Sequence, residues 1–98
     1  MKTRVVHHNQ PYDVFIGRPS KWGNPFHSGE DGTRSEVIEK YREWILNQPD
    51  LLKSLDELDG KVLGCWCKPR ACHGDVLVEL VMARKRKEQF DDLFSDGE

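Results

Sequence analysis

The sequence has little of what would tie it to a membrane or to an oxidising compartment. No apolar run approaches the ~20 residues that a membrane-crossing helix needs, and the opening MKTRVVHHNQ contains no secretory h-region. A cytoplasmic location and no membrane partner are the expectation. Cysteine is scarce: the three residues, an odd number, all fall between Cys65 and Cys72, which argues against a disulfide framework. Cys65 and Cys67 lie two apart on one predicted strand and would make a strained bridge at best, so reduced thiols or a metal are expected. Charge of one sign is not in excess either. With a net charge of −2 the chain as a whole attracts neither nucleic acid nor membrane, and any polyanion must be gripped locally. P-loop, G-x-G-x-x-G and internal repeats are all missing. Ninety-eight residues suffice for one modest core and are too few for two.

What is present concentrates in Lys61 to Asp75, KVLGCWCKPRACHGD. Lys61 to Cys67 is a short apolar run led in by Asp59-Gly60 and reads as a buried strand. Lys68-Pro69-Arg70 breaks it, and from about Cys72 onward Val76, Leu77, Leu80 and Val81 recur at helical spacing. The polar chemistry therefore falls where a strand ends and a helix begins, at the positive end of a helix dipole with N–H groups to spare. Such a place suits an anion, and it also stabilises a thiolate, with Lys68 and Arg70 adding to the effect. On this reasoning Cys72 is the candidate nucleophile of lowered pKa. His73 is its proton-transfer neighbour, and Asp75 either joins the chemistry or caps the helix.

The rest of the chain supplies strands, helices and a second unusual loop. Thr3 to His8 and Tyr12 to Gly17 read as strands. Arg18-Pro-Ser-Lys-Trp-Gly-Asn-Pro-Phe26 holds two prolines and cannot stay regular for long. Its Arg18 and Lys21 flank Trp22, a combination that grips an anionic group and stacks a ring; alternatively Trp22 and Phe26 plug the core. Thr33-Arg-Ser-Glu36 fits a capping box and starts a helix to about Asn47, with Val37, Ile38, Tyr41, Trp44 and Ile45 as its apolar stripe. Pro49 opens a shorter helix through Leu58. The last helix is expected from about His73 through Phe90, with a basic end at Arg84 to Lys87 that complements its dipole or touches phosphates. Residues 91–98 read as an acidic, disordered tail, leaving 1–90 as a single domain.

The expected fold class is α/β: a sheet of about three strands packed by helices. Strands two and three are parallel, because a helical connection separates them. Both unusual loops then leave the carboxyl ends of parallel strands and meet at one sheet edge. That makes a single pocket with Gly17, Arg18, Ser20, Lys21, Trp22, Asn24, Trp66, Arg70 and Gly74 as candidate binding residues. The expected ligand is a nucleotide or a nucleic-acid end: the cations hold phosphate and Trp22 or Trp66 stacks a base. Enzyme status stays open. An alternative is a zinc-stabilised binding module with Cys65, Cys67, Cys72 and His73 as the soft ligands, although adjacent Cys72 and His73 diverge on a helix. A small phage-type interaction or inhibitor protein, with a protein partner, is another.

Ile16 to Phe26 together with Gly64 to Asp75 resembles the signature pair of a family of small bacterial and phage proteins known only as a domain of unknown function. The resemblance runs from about Val5 to Val81 and implies one domain and the importance of the two loops. It implies no activity.

Overall fold

The computed structural model describes residues 2–68 and 70–95, with side chains through Arg84. Strand β1 is Arg4–His7, β2 is Val14–Phe15 and β3 is Val62–Cys65. They form one sheet in the order β1-β3-β2, and β3 is parallel to both neighbours. The α/β fold with strands two and three parallel is therefore as the sequence implies. The element latest in sequence lies between the two earliest. β2 is shorter than its apolar run, but its flanks still hydrogen-bond β3: Asp13 N–H donates to the Val62 carbonyl and Ile16 N–H to the Gly64 carbonyl, each at 2.8 Å.

Helix α1, Arg34–Leu46, begins with the capping box foreseen at Thr33 and Glu36: each side chain accepts from the other's backbone N–H. Val37, Tyr41 and Ile45, one turn apart, are its buried stripe. Helix α2, Pro49–Lys53, continues as a 3-10 turn, Ser54–Leu58, which buries Leu55 and Leu58. Gly60 then takes a φ of +73°, a conformation that costs glycine little, and turns the chain into β3. Helix α3, His73–Ser95, runs past the Phe90 at which the sequence reading ends it. Residues 96–98, and the side chains of Lys85, Arg86 and Lys87 on which a phosphate contact would depend, lie outside what the structure describes. Arg84 turns back onto α2 and the 3-10 turn, donating to the Leu52 carbonyl at 2.6 Å and pairing with Asp56. Among the described residues no helix is long and apolar enough to cross a membrane.

Side chains alternate across a strand, and the two sides of this sheet differ. Val5, Val14, Ile16, Leu63 and Cys65 pack into a core with Tyr41, Ile45, Val76, Leu77 and Val81 from the helices. The intervening residues, Val6, Phe15 and Gly64, share a cross-strand row on the opposite side. There Tyr12 covers Gly64 so closely that a Cβ at that position would lie 2.7 Å from its ring.

Candidate functional site

Parallel pairing brings the carboxyl ends of all three strands to one edge, and the two unusual loops meet there. They enclose a cleft of about 200 Å³. Of the residues expected in the pocket, Gly17, Arg18, Asn24, Trp66, Cys72 and His73 line it, as does Cys67, named only as a possible zinc ligand. Phe26, Ser28, Arg34, Val37, Ile38 and Ala71 line it as well and were not foreseen. Arg34 is the most informative of these. As the first residue of α1 it reads as part of a capping motif, and only the packing of α1 beside the β3–α3 loop brings its guanidinium to the cleft, 3.4 Å from the Ala71 carbonyl.

Several expected binding residues are engaged elsewhere. Trp22 is only 2% exposed and belongs to the core, with its carbonyl accepting from the Tyr41 hydroxyl at 2.7 Å, so it plugs the fold and stacks on nothing external. Lys21 pairs with Glu57 at 2.9 Å, outside the cleft. The Asn24 amide, although in the lining, braces backbone: it donates to the Val37 carbonyl and accepts from Phe26 N–H. Ser20 closes a turn onto the Gly17 carbonyl. Arg70 is exposed and absent from the lining. Gly74 is there for packing, since a Cβ would stand 2.7 Å from Ile16 Cδ1.

The start of α3 caps itself. Cys72 Sγ accepts from Gly74 N–H at 3.3 Å, while the Asp75 carboxylate accepts from Cys72 N–H at 3.1 Å. This reciprocal arrangement resembles a capping box, with a thiol in place of the hydroxyl and the N–H of the second rather than the third helical residue as its donor. Asp75 also pairs with Lys68 at 2.7 Å. Both groups are thus occupied with the helix terminus, and the cationic side chains in the cleft lining are Arg18 and Arg34. Arg18 rests against the His27 ring, 2.6 and 2.7 Å from its nitrogens.

His73 is buried, and its Nε2 lies 2.7 Å from the Ile16 carbonyl. A carbonyl only accepts, so Nε2 carries the proton and Nδ1 is left as an acceptor, 3.5 Å from Cys72 Sγ. Burial, helped by nearby Arg18, holds the His73 pKa below its usual value, so the ring is neutral at pH 7. Cys72 departs from expectation. Its thiol gives a hydrogen bond to Cys65 and is buried, and both effects push its pKa up; accepting that bond draws Cys65 down. Two neighbouring thiols resist ionising together, and at Cys72 this and burial outweigh the helix terminus. Cys65, Cys67 and Cys72 are all free thiols. Among the described residues no three His, Cys, Asp or Glu side chains are grouped to hold a metal ion, and the quartet considered for zinc is no exception.

The fold and cleft define a small parallel α/β protein whose one described site lies at the carboxyl edge of the sheet. Its sequence belongs to a recognised family: the profile described as Domain of unknown function (DUF4326) matches residues 1–83. An uncharacterized protein, R718, of Acanthamoeba polyphaga mimivirus is 37% identical over 89 residues, covering 72% of this chain and 68% of its own. An uncharacterized 12.4 kDa protein from the nrdA-td intergenic region of Enterobacteria phage T4 is 37% identical over 84 residues, covering 80% of this chain and 76% of its own. No solved structure matches.

Proposed function

We propose that this protein binds a nucleotide, or the end of a nucleic acid, in the cleft between residues 17–26 and 67–75. The observation that carries this reading is that two arginines, Arg18 and Arg34, line the same small cleft as Trp66, which is 58% exposed. Guanidinium groups suit phosphate, and an indole face suits a base. A cleft of about 200 Å³ is smaller than the ~300–1,000 Å³ pockets that enclose whole drug-sized ligands. It therefore takes one part of a ligand, a ring or a phosphate, and leaves the rest outside. The chemistry beside it is that of a neutral His73 with an acceptor nitrogen. Cys72, buried and protonated, serves as a helix cap in this reading, and binding rather than thiol catalysis is the activity the geometry favours.

Calorimetric titration with nucleoside monophosphates tests the proposal. Arg18→Ala should weaken binding by about 1.5–3 kcal/mol, the range for a hydrogen bond to a charged group. Lys21→Ala, which removes an exposed ion pair with Glu57 and a cation–π contact 5.3 Å from the Trp22 ring centre, both outside the cleft, should leave binding unchanged and cost about 1 kcal/mol of stability. Equal effects of the two substitutions, or no saturable binding by the parent protein, would remove the support for this cleft.

A further inference from the structure

The side of the sheet away from the helices carries a continuous line of rings. Tyr12 and Phe15 are 5.9 Å apart, Phe15 and Trp66 are 5.7 Å apart and nearly perpendicular, and Trp66 and His8 are 4.1 Å apart. Tyr12 is 44% and Trp66 58% exposed; among the described residues the other exposed large hydrophobic side chains are Leu46 and Met82. Two of these four thus fall on one sheet face. The line is continuous with the cleft, because Trp66 belongs to both. Where the rings meet the cleft, Arg18 and Arg34 supply positive charge. An isolated apolar docking surface has no need of cations at one end, whereas a strand of nucleotides needs both: planes for its bases and guanidinium groups for its phosphates. We infer that the ligand is a single-stranded nucleic acid, its end in the cleft and its following bases laid across Trp66, Phe15 and Tyr12. The inference rests on the cleft reading above and extends it to a substrate class. The close seating of Tyr12 over Gly64 is part of the device, since the absent Cβ lets the ring sit close against the central strand.

The test compares thymidine 5′-monophosphate, a 5′-phosphorylated hexathymidylate and a duplex of the same length by calorimetry, using the full chain and Tyr12→Leu. Leucine keeps an apolar cover over Gly64 and removes the ring face. The hexamer should bind at least about tenfold more tightly than the mononucleotide, as stacking of one or more further bases requires. Tyr12→Leu should cut hexamer affinity severalfold and leave the mononucleotide unchanged. A hexamer no tighter than the mononucleotide, a hexamer indifferent to Tyr12→Leu, or a duplex that binds equally well would each overturn the inference while leaving the cleft reading in place. A hexamer that binds with no detectable mononucleotide binding, and is indifferent to Arg18→Ala, would overturn the cleft reading, and with it the continuity on which the inference depends.

Discussion

The two faces of the sheet are built from alternate residues of the same short strands, and they have opposite characters. Leu63 and Cys65 on β3 are fully buried beneath α1 and α3, whereas Gly64 between them has the Tyr12 ring as its nearest cover. Burial on the helix side comes from aliphatic residues that interlock. The open side carries rings, of which Tyr12 and Trp66 are about half in solvent. One face supplies stability and the other supplies surface, and the period-two alternation of a strand is enough to separate the tasks.

Large-to-small substitutions should expose this difference most strongly. Leu77, fully buried on the helix side, should cost about 2–5 kcal/mol when replaced by alanine. Tyr12→Ala on the open side should cost about 1 kcal/mol or less. Urea denaturation of both variants measures the pair, and similar losses would mean that the open face is part of the core.

Adding a methyl group probes the same contrast with a smaller effect. At Gly74 a new Cβ meets Ile16 Cδ1 at 2.7 Å and the Val5 methyls at 2.9 and 3.0 Å, all inside the packed layer. Gly74→Ala should therefore destabilise by about 1–3 kcal/mol, the usual cost of overpacking. At Gly64 the obstacle is the ring of Tyr12, which can swing outward, and alanine removes some unfolded-state freedom. Gly64→Ala should fall within about 1 kcal/mol of the parent protein. A severe loss there would show that Tyr12 is locked in place.

The smallest expected effect is a pH dependence belonging to the covered side. His73 packs edge-on against Tyr41 with ring centres 4.9 Å apart, and burial lowers its pKa. The unfolded chain then takes up a proton at a pH where the folded chain does not. Its contribution to stability is complete above the unfolded value of about 6.5 and is lost as pH falls below it. Denaturation midpoints at pH 7.5 and 5.5 should differ in that sense, and His73→Gln should shrink the difference. An undiminished difference would assign the effect to other groups.

Much of the fold was legible in local pattern. Thr33 and Glu36 announce the start of α1, Pro49 that of α2, and the change of period after Cys67 marks the passage from β3 to α3, because capping and amphipathicity are properties of neighbouring residues. The meeting of the two loops was legible as well, since a helical connection between strands implies parallel pairing and a shared carboxyl edge. The charged partners within those loops were not. Lys21 and Arg18 look alike in GRPSKWGNPF, yet one faces Glu57 and the other the cleft. Sequence adjacency cannot reveal which side of a loop is covered.

By itself the sequence determined the local elements, the order in which they occur and the clustering of thiols, imidazole and cations near two strand ends. Only the tertiary structure decided that Trp22 is core and Trp66 is surface, and that Arg34 joins Arg18. It also decided that burial and the neighbouring Cys65 raise the pKa of the Cys72 thiol that a helix terminus would lower. The physical reason is common to all three. Burial and pairing depend on residues distant in the chain, and a side chain's solvent and partners are settled only when those residues are brought beside it.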